Sequence, residues 1–107
     1  MRELVPFQSR RLELNPGEQA DFAVRPPATR LYTFQTFGSA DTVMVLFEEV
    51  DAGPEEGRGL RFRAGDDDSG TDLNARLGAK LYKGRSYVLR IRLYWAWATG
   101  ETAAMIW

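Results

Sequence analysis

The apolar positions of this chain recur with a period of two. In segment 86–95, Tyr87, Leu89, Ile91 and Leu93 fall on one face, and Val88, Arg90, Arg92 and Tyr94 on the other. Two arginines spaced by two between apolar residues mark a half-buried strand. A helix would group Leu89 with Leu93 but turn Ile91 almost to the opposite side. Segment 31–37 is rich in aromatic and threonine strand formers. Segment 42–50 alternates Val43, Val45 and Phe47 with Met44 and Leu46. A run apolar on both faces predicts a central or covered strand. In segment 99–107, Thr102, Ala104 and Ile106 share one side. Leu12 with Leu14, Ala20 with Phe22 and Val24, and Leu60 with Phe62 and Ala64 predict three weaker strands.

Turn residues separate these runs. Asn15-Pro16-Gly17 predicts a turn between the first two strands. Pro26-Pro27 belongs in a loop or at an edge, because proline gives no ladder donor. Gly38-Ser39 ends the third strand, 53–59 is an exposed loop, and Lys83-Gly84 is a corner before the longest strand. There is no convincing helical pattern and no repeat. The fold expected is all-β: an antiparallel, jelly-roll-like β-sandwich of seven to eight strands. An up-and-down barrel is the alternative. The 107 residues form one domain, with 1–10 as an extended N-terminal segment.

Composition narrows the chemistry. At 44% apolar and 27% charged, the chain is globular. It has no Cys and no His. Thiol nucleophiles, disulfides, thiolate metal sites, imidazole bases and the common triads are therefore excluded. Carboxylate chemistry with hard cations, or plain binding, is left, and the expectation is that the protein is not an enzyme. The longest apolar run, 93–98, is far below the ~18 residues that span a membrane. The start, Met1-Arg2-Glu3-Leu4, has no apolar h-region, and the chain ends inside an apolar stretch, at Ile106-Trp107. That reads either as a module of a longer protein or as a short cytoplasmic one.

The net charge of −1 hides an asymmetry. Nine acids between Glu48 and Asp72 face only Arg58, Arg61 and Arg63, a balance of −6. This run reads as a solvated surface or as a local anionic pocket for a cation. From Arg76 to Arg92 there are six basic residues and no acid. The domain as a whole is not basic, so nucleic acid is not the expected partner. Gly57-Arg58-Gly59 lacks the Lys-Ser/Thr and the helix that a phosphate loop needs.

The most distinctive run is Asp66-Asp67-Asp68-Ser69-Gly70-Thr71-Asp72-Leu73-Asn74. Consecutive aspartates repel unless something positive is near, and Asp68, Asp72 and Asn74 add oxygen donors at short spacing. Ca²⁺ takes six to eight oxygens at about 2.3–2.6 Å, which such a turn could in part supply. The EF-hand pattern fails, since Gly70, Thr71 and Leu77 stand where that loop needs other residues. The competing reading is structural. Asp and Asn cap their own turns, and Asp67 or Asp68 could pair with Arg76 or Arg61.

Asp41-Thr42 before the apolar strand, the Asp-Asp-Ser-Gly loop, Asn74-Ala75-Arg76, Leu81-Tyr82-Lys83-Gly84 and Tyr87-Val88 together resemble the bacterial pre-peptidase C-terminal (PPC) domain. The resemblance spans roughly residues 31–107. It implies a jelly-roll accessory module of secreted peptidases and other extracellular enzymes. It also implies kinship with the collagen- and calcium-binding domains of clostridial collagenases. Asp41, Asp67, Asp68 and Asn74 sit on positions of that pattern. The chain departs from it at Asp66, where the family often has Asn, and at Asp72, where small residues are usual. The acidic linker of the collagen-binding relatives has no match before Leu12. With Asp72, these residues form the expected Ca²⁺ set.

Tyr94-Trp95-Ala96-Trp97 is the second candidate site. If the strand continues, Trp95 extends the inward row of Tyr87 to Leu93 and Trp97 caps the core. This is the favoured arrangement, because aromatics are mostly core material. If the two tryptophans are instead exposed, they form a platform for a sugar or an extended peptide. The functional expectation is a monomeric, non-catalytic binding module, extracellular or in the cell envelope as part of a longer protein. Its partner would be a protein, a polysaccharide or an adjacent catalytic domain. The rivals are a carbohydrate-binding module using Tyr94, Trp95 and Trp97, and a purely structural or intramolecular domain.

Overall fold

The computed structural model describes residues 1–51, 53–66 and 74–107. Among them are nine strands: β1 (Arg2–Glu3), β2 (Arg10–Leu14), β3 (Gln19–Val24), β4 (Arg30–Phe37), β5 (Thr42–Asp51), β6 (Arg58–Asp66), β7 (Arg76–Leu81), β8 (Tyr87–Leu93) and β9 (Gly100–Ile106). One sheet has the order β1-β3-β8-β5-β6 and the other β2-β9-β4-β7. Every pairing is antiparallel except that of β1 with β3. Successive strands change sheets at each connection except the β5–β6 hairpin, and this is the strand order of a jelly roll.

The two sheets bury the faces that the alternation indicates, except on β6, where Leu60 and Phe62 are exposed. Tyr87, Leu89, Ile91 and Leu93 of β8 point inward, as do Thr102, Ala104 and Ile106 of β9. Phe22, Phe34, Met44, Leu46 and Leu81 fill the space between them. β5 lies between β8 and β6, the central position that its two apolar faces require. Its inner row is Thr42, Met44, Leu46 and Glu48, while Val43, Val45 and Phe47 are half-buried on the outer face.

The nine described strands exceed the seven to eight expected, and two of them, β1 and β7, are not among the segments of period two. β7 carries only Leu77 and Leu81 as large apolar residues, and Gly78 and Ala79 between them leave no visible alternation. It is held by its partner β4, from Arg30↔Leu81 to Gln35↔Arg76. β1, inside the segment expected to be extended, is two residues that add to β3.

Polar groups in the core are paired. The Thr36 and Thr42 hydroxyls share a hydrogen bond of 2.7 Å, and the Ala75 N–H donates to Thr36 Oγ1 at 2.9 Å. The Thr36 N–H in turn donates to the Ala75 carbonyl at 3.0 Å. This knot joins β4, β5 and the approach to β7.

Like charges meet on the outer face of the four-stranded sheet, where Glu13 lies opposite Glu101. The hydrogen bond to Glu101, and then its charge, raise the Glu13 carboxyl above its ordinary value of 4.5. A raised carboxyl contributes stability that is fully present below the ordinary value and is lost as pH rises through the raised one. Glu13→Gln should therefore raise Tm slightly at pH 7 and leave it unchanged at pH 3. Thermal melts at the two pH values check this, and equal shifts at both would contradict it.

Candidate functional site

The alternation of strand directions brings four connections to one end of the sandwich. β2 ends at Leu14 beside Gly100, β3 begins at Gln19 beside Arg92, and β5 begins at Thr42 beside Leu93. β6 ends at Asp66 beside Met44, and β7 begins at Arg76 beside Gln35. Described residues between these strand ends tie to one another. Tyr94 N–H donates to the Asp41 carbonyl at 2.9 Å, and Gly17 N–H donates to the Ala96 carbonyl at 2.8 Å. Asn74 Nδ2 donates to the Gly38 carbonyl at 2.9 Å. The end is thus braced by its own loops, and what it displays is fixed by them.

Its most prominent display is aromatic. β8 ends at Leu93, and the Tyr94 N–H makes the last bond in its register with the β5 segment, to the Asp41 carbonyl. The chain then turns, with Ala98 N–H donating to the Trp95 carbonyl at 3.1 Å. Trp95 does not extend the inward row and Trp97 does not cap the core. They are 51% and 73% exposed, and Tyr94 is 44% exposed. The two indoles stack, with centroids 5.8 Å apart and planes at 26°. Tyr94 meets Trp95 edge-on at 4.9 Å. The inward arrangement favoured by the alternation is corrected here: period two ends where the strand ends, and sequence alone does not mark that point. Beside the stack lies a cleft of about 280 Å³, lined by Asn15, Glu18, Gln19, Arg92 and Trp95 among others. An apolar ring wall next to amide, carboxylate and guanidinium groups is the layout of a site that orients a partly polar ligand.

The expected cation set is divided. Asp41 and Asn74 lie on adjoining loops at this same end. Asp67, Asp68 and Asp72 lie outside the described residues. Among the described residues, no group of three carboxylates is placed to hold a metal ion. Asp66 Oδ2 accepts from the Arg76 N–H at 2.9 Å, the turn-capping role weighed for such aspartates.

The described start of the acidic run is paired rather than open. Glu48 is 5% exposed and points inward from β5. Arg63 Nη1 donates to its Oε1, while Arg61 Nη2 and Arg85 Nη1 lie 3.5 and 3.7 Å from its Oε2. Arg58 lies 3.7 Å from Glu49. The arginine cluster has a backbone cause. Leu46 pairs with Ala64 but Phe47 with Phe62, so Arg63 is the extra residue of a β-bulge. Arg61 and Arg63 share a side by the ordinary alternation of the strand, and Arg61 is the register partner of Glu48. A glutamate in register with Met44 and Leu46 was the sequence signal for this cluster, and the arginines around it are set by register.

Neither a family model nor a curated protein matches the chain. Two solved structures share its fold. The crystal structure of the Yersinia pseudotuberculosis-derived mitogen (YPM) superposes with a TM-score of 0.65 at 15% identity, over 94% of this chain and 84% of the mitogen. Aeromonas hydrophila PliG, a periplasmic lysozyme inhibitor of g-type lysozyme, superposes with a TM-score of 0.56 at 16% identity, over 98% of this chain and 96% of the inhibitor. At these identities the likeness is one of fold alone. Among the described residues, no helix is long and apolar enough to cross a membrane.

Proposed function

We propose that this protein is a non-catalytic binding module that engages a protein or polymer partner through Tyr94, Trp95 and Trp97. The observation that carries the reading is the stacked, exposed indole pair beside the polar cleft. Three contiguous aromatics left outside the core lose apolar burial that the fold could have used, roughly 25 cal/mol per Å². A partner recovers it. One structural neighbour, by its name, inhibits a lysozyme, so a sandwich of this architecture can act on a protein target. The resemblance to PPC domains supports placing the module beside a secreted or cell-envelope enzyme.

Trp95→Ala with Trp97→Ala should weaken binding at least tenfold and leave Tm nearly unchanged, since both rings are exposed. Affinity electrophoresis through soluble polysaccharides, and pull-down with peptidase and lysozyme baits, measure it. Retention on a polysaccharide selects the carbohydrate-binding reading, and retention on a protein bait the primary one. Undiminished binding by the double variant would overturn both.

The Ca²⁺ expectation belongs to this proposal as well, with Asp41 and Asn74 as the described members of the set. A bound cation adds roughly 2–4 kcal/mol when the site is well saturated. Tm should then rise at millimolar CaCl₂ and not with MgCl₂. An unchanged melt, with Asp68→Ala equally neutral, removes the metal.

A further inference from the structure

A single buried carboxylate does not need three guanidinium groups. Glu48 is 7% exposed in its side chain, and Arg63 alone gives it a charge-assisted hydrogen bond from a partly buried position. Arg61 and Arg85 reach only its second oxygen, at 3.5 and 3.7 Å, with side chains 62% and 50% exposed. Among the described residues, each makes this one contact with an acid. Lys80 stands at the rim. The Arg63 Nη2 donates to its carbonyl, and its ammonium lies 5.4 Å from the Tyr82 ring centroid. Arg85 lies 4.4 Å from that same centroid. Three guanidinium groups therefore contact one carboxylate, and a fourth cation, Lys80, shares the Tyr82 ring with Arg85.

The location suits a ligand. β6 and β7 are the free edges of their sheets, so Arg61, Arg63 and Lys80 line an open side of the sandwich. The next acid along β5, Glu49, is engaged by Arg58 at 3.7 Å, and the one after it, Asp51, is paired with Arg58 in register. Asp51 lies three residues from Glu48, about 10 Å along the strand. The acids of the hairpin tip, Glu55 and Glu56, are farther still, beyond a Debye length of about 8 Å at physiological salt. Tyr82 holds the Arg85 guanidinium by cation–π contact, which orders it before any ligand arrives. Glu48 orders Arg63 in the same way, through the hydrogen bond from the Arg63 Nη1.

We infer that Arg61, Arg63, Arg85 and Lys80 form a binding site for a tetrahedral oxyanion, a sulfate or phosphate group carried by a partner. The fork of N–H donors on each guanidinium matches such an oxygen array. Glu48 positions the arginines and at the same time competes with the ligand for them. The site lies toward the opposite end of β8 from the aromatic loop and stands independently of the function proposed above.

The test is titration of the intact chain with sodium sulfate and sodium phosphate at constant ionic strength, followed by the arginine Nε–H NMR signals. Saturable shifts are expected at Arg61 and Arg85 and not at Arg11, which lies on the other sheet. Arg61→Gln with Arg85→Gln should weaken the interaction at least tenfold while the melt stays cooperative. Glu48→Gln, which keeps the shape and removes the competing charge, should tighten it several-fold. Should Glu48→Gln fail to fold, the double arginine variant alone decides. Dextran sulfate binding where dextran does not assigns the group to a sulfated polymer, whereas response to phosphate alone assigns it to a phosphate ester. Linear, non-saturating shifts with both anions, or unchanged affinity in the arginine variants, would overturn the site.

Discussion

Arg63→Met is expected to lower stability by about 2–3 kcal/mol, on the order of 10 °C in Tm. The loss comes from the partner left behind rather than from arginine itself. Glu48 is held at 5% exposure by a strand register it cannot leave, with Met44 and Leu46 in the same inner row. Arg61 and Arg85 approach it at 3.5 and 3.7 Å, too long to replace the bond from Arg63. The second leg of a double-mutant cycle makes the test sharp. Glu48→Leu combined with Arg63→Met removes both charges and fills part of the space, so it should recover most of the loss. Urea melts of the four proteins measure the coupling. A double variant as unstable as Arg63→Met would mean that Arg63 acts through packing, not through Glu48.

The second large effect is expected at the threonine knot. Thr36→Val keeps the shape but removes the acceptor for the Ala75 N–H and the partner of the Thr42 hydroxyl. Thr36 and Ala75 are fully buried, so water does not replace the lost group. The cost is about 2 kcal/mol. Part of the remaining Ala75 bonding is the longer 3.3 Å approach to Thr42 Oγ1. Thr36→Val with Thr42→Val should therefore cost less than the sum of the single changes plus their packing penalties, because the two hydroxyls fail together. Additive losses in denaturant melts would contradict a shared network.

These two clusters show what the chain makes legible and what it does not. Period two placed seven strands and, except on β6 where Leu60 and Phe62 are exposed, their buried faces, for a local reason: each strand displays its own alternation. β7 has no alternation of its own and exists because β4 offers it a ladder. The sandwich class followed from strand count and turn spacing, whereas the pairing of β3 with β8 or β2 with β9 joins residues far apart in sequence. For the same reason the aromatic site was half legible. Tyr94, Trp95 and Trp97 stood out as a group, but their exposure depends on where β8 leaves its pairing with β5, whose last bond runs from Tyr94 to Asp41, 53 positions away. The arginines over Glu48 were counted as balancing charge along the chain, and the register of β6 against β5 is what sets Arg61 opposite Glu48.

The order of the strands also determines how this protein must fold. Only the β5–β6 hairpin joins neighbours in sequence within one sheet, while β2 waits for β9 at the far end of the chain. Most loop-closure entropy is therefore spent before long-range contacts return it. A topology so dominated by distant pairings belongs to the slow class, folding in milliseconds to seconds. During that interval the apolar rows of β8 and β9 lack their partners. The charged residues along β6 and β2, at the sheet edges, then guard against pairing with another chain.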